Sequence, residues 1–128
     1  MAERGKFTEF EWEIMQILWD RGIASVREVE EEYCKKVKKK AYTTIQTYME
    51  RLTTKGILEK CKIGMVNFYR PNVEKESVLK NETKRFVNIA FRGSFSKLAS
   101  YLIHSEGIKQ EDLEEIKKMI EAKEKDND

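Results

Sequence analysis

From Phe7 to Gly22 the apolar residues Trp12, Met15, Leu18 and Trp19 recur at helical spacing, flanked by Ile14 and Ile17, and predict an amphipathic helix. Thr8 stands three residues ahead of Glu11, so hydroxyl and carboxylate can each satisfy the other's backbone N–H, with Phe7 and Trp12 placed as a hydrophobic staple. Gly22 suits a left-handed stop. After the link "GIAS", Ser25 and Glu28 repeat the capping pattern for a second helix with Val26, Val29, Tyr33 and Val37 on one face. This helix is acidic early and basic late, which complements its dipole at both ends. A third helix is predicted from Tyr42 to Lys55, stopping at Gly56. Ile45, Met49 and Leu52 face inward beside Tyr48, and Thr43, Gln46, Thr47, Glu50 and Thr54 face outward, with Thr44 and Arg51 on the shoulder.

Beyond Gly56 the period changes. "ILEKCK" and "MVNFYR", separated by "IG" and closed by Pro71, read as a two-stranded antiparallel hairpin. Three helices followed by a hairpin is the order of a winged helix-turn-helix domain. Helical patterning then returns, with Val78, Leu79, Phe86, Val87 and Phe91 ahead of a break at Gly93. "SFSKLASYLI" follows, capped by Ser94, and a last helix from Gln110 to Ala122 is expected to bury Leu113, Ile116, Met119 and Ile120. The expected fold class is mainly α (α+β): a winged helix over 1–72, a helical dimerisation region over 73–122, and a frayed tail over 123–128. The C-terminal helices are too thin to enclose a core alone, and a second copy related by two-fold symmetry is the economical cover. Phe86, Phe91, Phe95, Leu98, Leu102, Leu113, Ile116 and Ile120 are the expected dimerisation residues.

Charge sharpens this division. The net charge of +2 conceals ten basic residues against two acidic ones between positions 35 and 70, a local +8 that begins with five lysines within Lys35–Lys40. No apolar run approaches the about 20 residues that a membrane span needs, so a cytoplasmic chain without membrane insertion is expected. Cys34 and Cys61 do not have the spacing of a disulfide framework or a zinc site. With His104, the sole histidine and the expected close of its helix, they make no recognisable ligand set, so no metal or cofactor is expected. There is no phosphate-binding glycine loop, HExxH or nucleophile elbow, so catalytic residues are not expected and the chain does not read as an enzyme. Trp12, Trp19, Tyr48 and Phe86 read as core rather than a ligand cage.

The exposed face of the third helix suits a DNA major groove. Gln46 has the groups to pair with adenine, and Thr43, Thr44 and Thr47 offer hydroxyls and methyls. Lys39, Lys40 and Arg51 are candidates for phosphates, with Lys60, Lys62 and Arg70 on the hairpin as a flanking contact. Glu50 opposes that reading, because a carboxylate facing DNA must avoid phosphates or accept from cytosine N4. The rival reading is a winged helix used as a protein-interaction module that meets an acidic partner.

The stretches "EWEIMQILW", "TTIQTYMERLTTKGIL", "NFYRP" and "FVNIAFRGSFSKLASYL" resemble the penicillinase repressor family, the BlaI/MecI type of bacterial repressors, over roughly residues 7–122. The resemblance implies a homodimer on a palindromic double-stranded DNA operator, repressing beta-lactamase or other resistance or stress operons. Thr44, Thr47 and Arg51 match the family's motif, Gln46 falls at a variable position, and Ala41 stands where relatives often carry a capping Ser. It also implies a regulatory protease acting near Tyr101–Leu102, although these two residues replace the family's usual Asn-Phe bond. The copper-responsive branch carries a C-terminal cysteine motif that "EAKEKDND" lacks.

Overall fold

A computed structural model describes residues 7–127 and divides the chain into two compact units, with the boundary between Glu82 and Thr83. The elements of the first unit are α1 (Glu9–Arg21), β1 (Ala24–Ser25), α2 (Val26–Lys36), α3 (Tyr42–Thr54), β2 (Leu58–Ile63) and β3 (Val66–Pro71). Helix α4 (Lys75–Ala90) contains the boundary, and α5 (Phe95–Ile103) and α6 (Gln110–Asp126) follow. The expected division after residue 72 thus lies ahead of α4, whereas the compact units part within it.

Local chemistry sets the first two helix starts. The Thr8 hydroxyl accepts from Glu11 N at 3.1 Å and the Glu11 carboxylate accepts from Thr8 N at 2.9 Å. Ser25 and Glu28 do the same for α2 at 3.2 and 2.9 Å. Phe7 and Trp12 meet at 5.2 Å between ring centroids, as a staple requires. α1 stops at Gly22, whose φ of 85° is open to glycine at little cost and lets its N–H reach Leu18 O at 2.7 Å.

The helical periods converge on one core. Ile14, Met15 and Leu18 of α1, Val29 and Tyr33 of α2, and Ile45, Met49 and Leu52 of α3 are fully buried. Trp19 is half-buried, packed on the rim, and donates from Nε1 to Val73 O at 3.0 Å. Val37 departs from the expected face: it is the C-cap of α2 and exposed, because the helix ends before its side chain can turn inward.

The hairpin has the register Leu58↔Pro71 through Ile63↔Val66, leaving Gly64 and Met65 as its loop. Gly64 takes a φ of 65°, the positive value that a two-residue hairpin loop asks of its first position. The expected two-stranded sheet has a third member, because β1 pairs with β3 through Ala24↔Tyr69 and Ser25↔Phe68 and makes the order β1-β3-β2. β3 would otherwise be an open edge, and the link between α1 and α2 closes it.

In the second unit Ser94 caps α5 by accepting from Lys97 N at 3.2 Å, and His104 is its C-cap with Nδ1 2.7 Å from Ser100 O. α6 continues past Ala122 to Asp126, so residues 123–126, expected in the frayed tail, extend the helix; position 128 lies outside the described residues. Its expected buried stripe is not buried: Leu113 and Ile116 are half-buried, and Met119 and Ile120 are exposed. Among the expected dimerisation residues Phe86, Phe95, Leu102 and Ile120 are exposed, and Phe91 and Leu98 are half-buried. In a single copy none of these side chains is more than half-buried. No helix among the described residues is long and apolar enough to cross a membrane.

Candidate nucleic-acid interface

Helix α3 presents the polar face that its period predicts. Thr43, Gln46, Thr47 and Arg51 are exposed, while Thr44 is half-buried on the shoulder. The Thr47 hydroxyl donates to Thr43 O at 2.8 Å, which fixes its rotamer and leaves an oxygen lone pair and the methyl outward. Arg51 stacks over the Tyr48 ring with Cζ 5.0 Å from the centroid, so its guanidinium is held over an aromatic face rather than paired with a carboxylate. An open groove of about 500 Å³ runs along this side, lined by Gln46, Thr47, Glu50, Arg51, Thr54 and Lys55.

The basic residues divide into tethered and unpaired groups. Lys60 Nζ lies 2.8 Å from Glu50 Oε1, and Arg70 is paired with Glu59, its cross-strand neighbour. Lys36 and Lys55 are likewise bound, to Glu32 at 3.2 Å and Glu11 at 3.0 Å. Lys60 and Arg70, two of the expected DNA contacts, are thus each paired with a glutamate in an ion pair open to solvent. Lys40 sits over the Phe10 ring at 4.9 Å, whereas Lys39 and Lys62 are exposed with no ion pair among the described residues.

Glu50 braces the fold. Its carboxylate accepts from the Tyr69 hydroxyl as well as from Lys60, which joins the middle of α3 to the centre of the wing. Hydrogen bonds from Lys60 and then Tyr69 hold the carboxyl below its ordinary value, while burial and then the Glu50 bond push the Tyr69 phenol up. On the far side of the domain, burial and then Glu13 raise the Tyr33 phenol to about 12, and its hydroxyl donates to Glu13 at 2.9 Å, pinning α2 to α1.

The N-terminus of α3 lacks a side-chain cap. Ala41 has the extended backbone of a cap residue and its carbonyl accepts from Thr44 N at 3.1 Å and Ile45 N at 3.2 Å, but it carries no side-chain acceptor. Two residues escaped the sequence reading. Asn67, beside the wing loop, shares a second groove with Gln46, and so does Arg27. The signal for Arg27 was a cation in the first turn of α2, where the helix dipole favours an anion.

A helix-turn-helix followed by a hairpin wing, with exposed threonines, glutamine and arginine on the third helix, defines the winged helix-turn-helix class. Residues 7–122 match the family model described as penicillinase repressor. The chain is 29% identical over 113 residues to the methicillin resistance regulatory protein MecI of Staphylococcus aureus (strain N315), covering 88% of this chain and 91% of that protein. It is 25% identical over 121 residues to the penicillinase repressor of Bacillus licheniformis, covering 94% of each. A solution structure of the DNA-binding domain of the repressor BlaI superposes with a TM-score of 0.52 at 32% identity, over 59% of this chain and 90% of that one. The chain belongs to the penicillinase repressor family, a family of transcriptional repressors and not of enzymes.

Proposed function

We propose that the chain is a cytoplasmic, homodimeric repressor that reads a palindromic double-stranded operator of a beta-lactamase or other resistance or stress operon. The observation that carries this reading is the exposed face of α3, where Thr43, Gln46 and Thr47 stand outward and Arg51 is held on Tyr48 with no ion pair among the described residues. Gln46 and the threonines read base edges; Arg51, Lys39 and Lys62 hold phosphates. Apolar residues left exposed on α4, α5 and α6 support dimerisation, since Phe86, Phe95, Leu102 and Ile120 in one copy lack cover. A regulatory protease acts near Tyr101–Leu102, where Tyr101 is exposed in a single copy.

Duplexes selected from a randomised pool, compared with random duplex, test the assignment. Gln46→Ala should relax preference at one base pair by about 1–3 kcal/mol, and Lys39→Ala should weaken all duplexes alike and lower the salt slope. Equal loss on every sequence for both variants would overturn these roles. Failure of the unaltered protein to bind any duplex in dilute salt would favour the module that meets an acidic protein.

A further inference from the structure

Arg27 lies outside the lysine cluster, and its surroundings differ from those of the other described arginines of the first unit. Arg21 is paired with Glu28 and Glu32, and Arg70 with Glu59. Arg51 stacks on Tyr48 within α3. Arg27 stacks across elements instead: its Cζ lies 5.4 Å from the centroid of Tyr42, the first residue of α3, and it has no ion pair among the described residues. The ring supports the long side chain and presents an uncompensated guanidinium beside the start of the recognition helix.

The same place is a groove of about 460 Å³. Its lining combines Arg27 from the first turn of α2, Tyr42 and Gln46 from α3, and Met65, Asn67 and Tyr69 from the wing. A base-reading candidate, a cation and a wing amide thus open into one space. Glu28 binds Ser25 N and Arg21, Glu32 binds Arg21 and Lys36, and Glu50 binds Tyr69 and Lys60, while Glu30 and Glu31, three and four residues after Arg27, form no ion pair with it among the described residues. The N-terminus of α2 already carries its Ser25–Glu28 capping box, so the charge offered to an anion here is that of Arg27.

We propose that Arg27 is a DNA-contacting residue of this chain: stacked on Tyr42, it holds one backbone phosphate at the edge of the major groove and so sets the depth and register at which Gln46 meets its base pair. This rests on the DNA-reading assignment of α3. A phosphate is favoured over a base because Arg27 stands on α2 rather than on the face of α3 that enters the groove, and because a planar fork suits a phosphate's two free oxygens.

Binding is measured by fluorescence anisotropy of a labelled random duplex and of a duplex selected from a randomised pool, at about 50–200 mM salt. The full chain is compared with Arg27→Ala, Arg27→Lys and Tyr42→Leu, with thermal unfolding recorded for each. Arg27→Ala should lose about three- to tenfold in affinity on both duplexes and lower the slope of log K against log salt by about 0.9, the value for one phosphate. Arg27→Lys and Tyr42→Leu keep the charge, so the slope should stay near that of the unaltered protein while affinity falls by a smaller factor. An unchanged slope and affinity in Arg27→Ala would overturn the inference alone, and so would a loss confined to the selected duplex, which would make Arg27 a base reader. Absence of binding by the unaltered protein to either duplex would overturn the DNA reading and this inference with it.

Discussion

Glu50→Ala tests the brace between recognition helix and wing. Tyr69 is 1% exposed, so its hydroxyl depends on the Glu50 carboxylate, to which it donates. A hydrogen bond to a charged acceptor contributes about 1.5–3 kcal/mol, and removing the acceptor leaves the donor desolvated. The Lys60–Glu50 pair adds under about 1 kcal/mol, because its side chains are 36% and 42% exposed and solvent screens them. Water entering the vacated space recovers part of the hydroxyl's loss, so the expected total is about 1.5–2.5 kcal/mol. Tyr69→Phe removes the donor together with its demand and should cost about 0.5–1.5 kcal/mol, with Lys60→Ala below about 1 kcal/mol. Urea unfolding at pH 7 and fixed protein concentration orders the three.

The same substitution has the opposite sign on binding. It deletes a negative charge from the DNA-facing side and releases Lys60, so affinity for random duplex at low salt should rise severalfold while stability falls. The pH dependence follows from the lowered Glu50 pKa. Because the folded value lies below the ordinary carboxylate value of 4.5, the brace is fully present above about pH 4.5 and is lost as pH falls through the folded pKa. The stability gap between the unaltered protein and Glu50→Gln should therefore shrink in acid. A Lys60→Ala variant as destabilised as Glu50→Ala, or a gap that widens below pH 4, would refute the assignment of the brace to Tyr69 and the ionised carboxylate.

Ala41→Ser should stabilise the chain by about 0.5–1 kcal/mol, seen as a raised urea midpoint, because it supplies α3 with the cap acceptor it lacks; Thr44 at the third helical position offers no reciprocal carboxylate, which keeps the gain in the lower half of the usual range. Gly64→Ala should cost about 1–2 kcal/mol, since an added Cβ meets nothing within 4 Å and only the φ of 65° opposes it; a loss confined to the wing's amide protection in hydrogen exchange would locate it. Ile120→Glu should give a monomer by sedimentation at concentrations where the unaltered protein is a dimer, and should lower affinity for a two-half-site duplex while leaving a single half-site unchanged.

Features that rest on neighbours in sequence were legible, and those that rest on tertiary partners were not. The Thr8–Glu11 and Ser25–Glu28 boxes and the Ile45, Met49, Leu52 stripe need only the geometry of one helix, so spacing suffices to predict them. β1 has two residues, too few to show a period, and exists because the edge of β3 is there to pair with. The apolar stripe of α6 was visible, but its burial was not, because periodicity records which face is apolar and never what covers it. Charge behaves in the same way: a local +8 already subtracts Glu50 and Glu59, which bind Lys60 and Arg70, but leaves out Glu32 and Glu11 from outside the stretch, which bind Lys36 along α2 and Lys55 across the fold. Arg27 is the converse, a cation followed in sequence by Glu28, Glu30, Glu31 and Glu32 and unpaired in space. The strength of a phosphate-binding surface depends on the charges that folding leaves without a partner, so the salt slope of binding should track Arg27, Lys39, Arg51 and Lys62 and be insensitive to Arg70.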